Sequence, residues 1–277
     1  MSSGKSAVRA AVSVEAMVRP PAAWQALVSI VVIAEMEVRK LRHDPTELLT
    51  RAVQPVLWLL IFGQVFSRVR AFNTDGVPYQ AFMTPGILSQ SVMFIAIFFG
   101  IQIIWERDMG ILQKFLAMPI PRMALVLGKA FAAGVRALTQ AIIVLGLAAA
   151  IGVPLRWWYL PDLLAAAGVA ILGAMFFATL SMIIAALVKT RERFMGIGQV
   201  ITMPLFFASN ALYPLSVMPP WLQGIALANP LSYMVDFLRG ALVTGQMSHG
   251  PLDVGVLIGA CAVATVIANY LYPRVIS

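Results

Sequence analysis

The sequence predicts an all-α, polytopic membrane protein, and three observations point there. Hydrophobic residues make up 60% of the 277-residue chain and charged residues only 12%, against roughly a half and a quarter in a soluble domain. Mean hydropathy is +0.86. Six segments approach the roughly 20 apolar residues that cross a bilayer as a helix: Ala52–Phe66, lengthened by flanking turns, then Ala81–Ile104, Ala137–Leu155, Leu163–Val188, Phe194–Val217 and Val254–Tyr272. None of these cores contains Asp, Glu, Lys, Arg or His. The first is the weakest, because Gln54, Pro55 and Gln64 interrupt it.

Ahead of the spans, residues 1–23 read as a mildly basic, flexible cytoplasmic tail with no short apolar core and cleavage site of a signal peptide. Residues 24–44 read as an amphipathic helix lying in the inner interface. Trp24, Leu27, Val28, Val31, Ala34, Val38 and Leu41 recur three or four apart, opposite Glu35, Glu37, Arg39 and Lys40. Asp44-Pro45-Thr46 marks the turn into the transmembrane domain, residues 45–277.

Between the second and third spans lies a charged island, Trp105–Arg122. Met109, Leu112, Phe115 and Leu116 give it one apolar helical face. Glu106 and Asp108 are expected near the start of that short helix, where they complement its dipole, and Pro119 and Pro121 are expected to stop it. Glu106 and Arg107 would orient the island, and Ile111, Leu112 and Phe115 would face a cytoplasmic partner.

Orientation follows from Lys and Arg. With the N-terminus inside, Lys5, Arg9, Arg19, Arg39, Lys40, Arg42, Arg51, Arg107, Lys114, Arg122, Lys129, Lys189, Arg191, Arg193 and Arg274 fall on the cytoplasmic side. Arg68, Arg70, Arg156 and Arg239 fall outside, and Arg136 sits at the inner boundary of the third span. This bias predicts that both termini are cytoplasmic. The net charge of +8 does not mark a nucleic-acid reader, because the basic residues form no face with interleaved aromatics.

After the fifth span, Pro214, Pro219, Pro220 and Pro230 cut an apolar stretch into pieces too short to cross a bilayer. Two short re-entrant helices are expected, about Pro219–Leu227 and Leu231–Val243, capping the outer end within residues 218–243. The residues of interest there are Pro219, Trp221, Asn229, Pro230, Tyr233, Asp236 and Arg239, with Asp236 and Arg239 spaced to pair on one helix face.

Within the spans, the candidate path residues are Gln54, Gln64, Phe94, Phe98, Gln140, Thr202, Phe206, Phe207 and Asn210. Buried amides need partners and so face protein or a cavity rather than lipid. No Ser/His/Asp set or metal cluster is indicated, and the single Cys261 permits no internal disulfide. Gly4-Lys5-Ser6 is the only ending of phosphate-loop type, without the upstream glycine or strand such a loop needs.

Glu106-Arg107 with Gly110, Met118-Pro119-Ile120, Gly128-Lys129, Pro219-Pro-Trp-Leu222 and Asn229-Pro230-Leu-Ser-Tyr233 with Arg239-Gly240 occur in this order among the six spans. This arrangement resembles the membrane subunit of a type 2 ABC exporter, in the branch of daunorubicin-resistance and nodulation-factor export permeases. The similarity runs from about Trp24 onward. It implies a permease in a bacterial plasma membrane that pairs with a second permease copy and two ATP-binding cassette subunits. The island would be the coupling helix, including Gly110 and Pro119, and the partner would hold ATP and Mg. The implied cargo is bulky and hydrophobic or amphiphilic: a drug, polyketide, glycolipid or lipid-linked saccharide. The competing readings are an ion-coupled secondary transporter, which charge-free span cores disfavour, and a membrane assembly scaffold without transport.

Overall fold

A computed structural model describes residues 28, 31, 32, 35, 39, 53–69, 74, 76–111, 122–188 and 190–271. All regular structure among them is helical. The tail, most of the interfacial segment 24–44, and Leu112, Phe115 and Pro119 of the island lie outside the described residues. Val28, Val31, Val32, Glu35 and Arg39 are helical and exposed, and Arg39 donates to Glu35 one turn away at 2.6 Å.

Four helices are long and apolar enough to cross a membrane: α2 (Tyr79–Asp108), α3 (Arg122–Ala150), α4 (Leu160–Leu187) and α8 (Gly250–Leu271). Two shorter helices accompany this set. α1 (Val53–Ser67) contains a π-helical turn at Trp58–Phe62, and α5 (Arg191–Phe207) has 17 residues, about 25 Å of rise. Two short helices, α6 (Pro220–Ala228) and α7 (Pro230–Arg239), precede α8.

Several boundaries differ from the sequence expectation. α3 begins at Arg122 rather than Ala137, so Lys129 and Arg136 belong to it, and it stops before Gly152, whose φ of 79° breaks the helix. Arg136 is therefore not at a boundary. It is buried midway along α3, with its guanidinium 5.4 Å from the Phe99 ring centroid of α2. α5 ends at Phe207, not Val217; the chain then turns through Ala208–Pro214 before a single 3-10 turn, Leu215–Val217. Two short helices, α6 and α7, stand where the re-entrant pair is expected, with a π turn at Gly240–Thr244 following the second.

α2 is the central helix: 78% of its apolar window lies inside the protein, against 28% for α8, whose outer face carries Ile258, Val263, Val266 and Tyr270. Small residues let the helices approach closely. Ala130, Ala133, Ala137 and Ala141 recur on the buried face of α3, and Ala166, Ala170, Ala174 and Ala178 on that of α4. Between membrane helices, such faces replace the water-driven association of soluble bundles with direct backbone packing. Gly86 of α2 shows one such close approach. A Cβ built there would lie 2.2 Å from the Ala211 carbonyl oxygen, so only glycine fits against the turn after α5.

Candidate functional site

The C-terminal end of α2 does not start a new helix at Glu106. The long helix continues through Asp108, which corrects the expected placement of Glu106 and Asp108 at a helix N-terminus. Both acids instead occupy a C-terminal turn, where the dipole disfavours negative charge. The structure supplies compensation. Glu106, 4% exposed, forms a buried ion pair with Lys129 of α3, 2% exposed. Asp108 pairs with Arg107 at 3.1 Å and with Arg191 of α5 at 3.0 Å. Arg107 also donates to the Val188 carbonyl just past α4, at 3.3 Å, and the Arg191 guanidinium lies 3.8 Å from the Trp105 ring centroid. One helical turn is thereby tied to α3, to the end of α4 and to the start of α5.

Gly110 then reverses the chain with φ of 69°, a conformation that side-chain-bearing residues rarely adopt, and its N–H donates to Arg107 O at 2.9 Å. Ile111, half-buried, follows in helical conformation.

The predicted path residues separate into four groups. Gln54 of α1, Phe94 and Phe98 of α2 and Gln140 of α3 meet around one cavity of about 150 Å³. Gln90 and Ser91 also line it, and sequence reasoning missed them although they are polar residues in an apolar run, the same signal that marked Gln140. Gln140 is 1% exposed, and its carbonyl oxygen has no hydrogen-bond partner. Thr202 and Phe206 are instead fully buried in the packing of α5: the Thr202 hydroxyl donates to Gly198 O at 2.9 Å, and Phe206 meets Trp58 edge-on at 5.9 Å. Gln64 and Phe207 are exposed on helix surfaces.

Asn210 forms the fourth group, beside the first turn of α2. Its amide donates to Asp236 at 2.6 Å, and its backbone oxygen accepts from Arg239 at 2.7 Å. Asp236 and Arg239 approach at 3.5 Å, as their spacing predicts, and the Arg239 guanidinium also covers the Phe82 ring at 3.9 Å. Asn229 caps α7 by accepting from Leu231 N, while its amide donates to Leu205 O at 2.6 Å. Pro219 precedes α6 and Pro230 opens α7, positions where the missing N–H costs nothing. The Tyr233 hydroxyl donates to Leu227 O at 2.7 Å, and Trp221 is exposed. Asp253 and His249, not singled out by the sequence, share a cleft of about 170 Å³ with Asp236 and Arg239. Among the described residues, no three His, Cys, Asp or Glu side chains are grouped to hold a metal.

Residues 28–243 match the family model described as ABC-2 type transporter. The transport permease ycf38 of Cyanophora paradoxa is 29% identical over 203 residues, covering 72% of this chain and 69% of its own. The daunorubicin resistance ABC transporter permease protein DrrB1 of Streptomyces coeruleorubidus is 26% identical over 235 residues, 83% of this chain and 78% of its own. Nodulation protein J of Rhizobium leguminosarum bv. trifolii is 31% identical over 228 residues, 81% of this chain and 83% of its own. A family match across most of the chain, on an all-helical membrane architecture, places it: the chain belongs to the ABC-2 type transporter family, as a transmembrane subunit of an ABC exporter.

Proposed function

We propose that this permease moves a bulky hydrophobic or amphiphilic cargo outward across a bacterial plasma membrane, driven by ATP hydrolysis on a separate polypeptide. It does so with a second permease, identical or related, and two ATP-binding cassette subunits that hold ATP and Mg. Both termini are cytoplasmic, and six spans cross the bilayer, α1 and α5 completing the four long helices. The relatives named for daunorubicin resistance and for nodulation support a cargo of this type.

The observation that carries the reading is the charged turn at the base of the island. Glu106, Arg107 and Asp108 reach α3, the end of α4 and α5 through Lys129, Val188 and Arg191. A partner that displaces the island therefore pulls on four helices at once. The island's apolar face, Ile111, Leu112 and Phe115, inserts into a groove of the ATP-binding subunit, with Gly110 and Pro119 setting its limits. The outer cap, from Pro219 to Arg239, closes the external end until the inner end moves.

The test is assembly and drive. A tagged permease should retain its ATP-binding subunit through purification, and Phe115→Ala should weaken that retention, since burying such a ring contributes about 1.5–3 kcal/mol. In inverted vesicles carrying both subunits, vanadate should stop export while a protonophore leaves the initial rate largely intact. Protonophore-sensitive, vanadate-resistant transport would establish an ion-coupled carrier instead. A permease that purifies alone and transports nothing would favour a scaffold.

A further inference from the structure

We infer that the cavity between α1, α2 and α3 is a subsite for an uncharged six-membered ring bearing hydroxyl or carbonyl groups, from either a glycoside or a hydroxylated aromatic. Its place in cargo transport rests on the exporter reading; its ligand chemistry rests on its walls.

The size admits one ring. The cavity holds about 150 Å³, the volume at which an engineered apolar cavity in another protein takes up benzene. Phe94 and Phe98 stand one turn apart on α2, their ring centroids 6.1 Å apart and their planes within 12° of parallel. They present two similarly inclined faces along one wall, a surface for the apolar face of a sugar or the plane of an aromatic.

The polar groups select within that size class. Gln54, Gln90 and Gln140 place three primary amides around the space, and each amide both donates and accepts, as a hydroxyl partner requires. Ser91 donates to Ile87 O at 2.8 Å, which leaves its own oxygen to accept. The Gln140 carbonyl oxygen is buried without a hydrogen bond, a state that native proteins rarely leave unexplained. A ligand hydroxyl resolves it. No charged side chain lines the cavity, so an ionised ring would enter without a counter-charge. The nearest cation on α3, Arg136, lies one turn away over Phe99 and is not part of the wall.

The experiment measures binding of radiolabelled octyl glucoside, below its micelle concentration, to the permease with its ATP-binding subunit in nanodiscs. A radiolabelled dihydroxybenzene is measured in parallel, and octylcyclohexane and octyl glucuronide serve as competitors. Saturable octyl glucoside binding is expected, weakened about tenfold by Gln140→Met or Gln90→Met, the loss of one hydrogen bond to a buried neutral group. Octylcyclohexane should compete poorly and equally against parent and variants. Gln140→Met should not lower the unfolding temperature, because it fills the same space and removes an unbonded acceptor; a merely structural glutamine would lower it. Saturable binding of the radiolabelled dihydroxybenzene alone, with no octyl glucoside binding, would assign the site to hydroxylated aromatics and still support it. Failure of every ring to bind, indifference to both glutamine substitutions, or preference for the glucuronide would overturn the inference. Loss of the ATP-binding subunit from the parent sinks the exporter reading separately, since the same binding is measured on the permease alone.

Discussion

The two ends of the molecule hold their helices together by different means. At the end bearing the charged turn, the inner one in the topology proposed above, the ties run mostly between charged side chains: Glu106 to Lys129, and Asp108 to Arg107 and Arg191. At the opposite end, the outer one in that topology, they run mostly from side chains to backbone carbonyls. Asn229 donates to Leu205 O, Tyr79 to Leu212 O, Gln223 to Met218 O, and Arg239 to Asn210 O and Phe82 O. The cause is continuity. α2, α3 and α4 satisfy their carbonyls internally over nearly their whole length, so only side chains remain to join them. The chain from Ala208 to Asn229 is broken by Pro214, Pro219 and Pro220, and broken helices leave carbonyls that hydrocarbon cannot satisfy. The outer end is therefore locked by many neutral bonds to the main chain. The inner end is held by a few charges, of which one pair is buried and the rest are open to water.

The largest expected effect comes from the buried pair. Lys129→Met takes the lysine from a carboxylate that is 4% exposed and should lower stability by about 3–5 kcal/mol. The double variant Glu106→Met with Lys129→Met should recover most of that loss, because an apolar pair of similar volume avoids the desolvation cost. Unfolding of the three purified variants in mixed micelles measures both. A double variant as weak as the single one would show that Glu106 does more at this end than pair with Lys129.

At the outer end, Asn229→Ala removes the α7 cap and the donor to Leu205 O together, and should cost about 2 kcal/mol. Asn229→Asp retains the capping oxygen but loses the donor, so it should recover only part of the loss. Full recovery in the same unfolding assay would mean that the carbonyl tie contributes nothing, and the contrast between the ends would narrow to charge alone.

Four long helices were legible because runs of about twenty apolar residues are a strong signal, whereas the run Phe194–Val217 ends as a helix at Phe207. The exceptions are instructive. α3 began fifteen residues before the apolar run because Lys129 and Arg136 are hidden against Glu106 and Phe99 of α2, and no property of α3 alone shows those partners. Glu106 and Asp108 read as a helix start because acids favour that end; cations from other helices reversed the rule. Gln54, Phe94, Phe98 and Gln140 were recognisable as polar or aromatic members of apolar runs, and they do converge on one cavity. Thr202, Phe206 and Asn210 carried the same signal and went elsewhere. Which face a span residue presents depends on the neighbouring helices, so residue type narrowed the candidates without grouping them.

The smallest effect tests whether the open charges are as loosely held as the comparison requires. Asp108 touches Arg107 and Arg191 at 3.1 and 3.0 Å, yet its side chain is 38% exposed and that of Arg191 is 37% exposed. Water and salt screen such pairs, and Arg191 keeps its stack on Trp105 when the carboxylate is gone. Asp108→Asn should therefore change stability by only about 0.2–1 kcal/mol at low salt. Near 1 M salt, where the screening length falls to about 3 Å, the difference should vanish. Lys129→Met, by contrast, should keep its penalty at both ionic strengths, because its partner is buried. Paired unfolding curves at low and high salt read both variants in one experiment. If Asp108→Asn matched Lys129→Met in size and in salt independence, the charged turn would be one rigid block. If it follows the expected pattern, the turn has a fixed pivot at Glu106 and an exchangeable latch at Asp108. A partner acting on the island would then release the latch first.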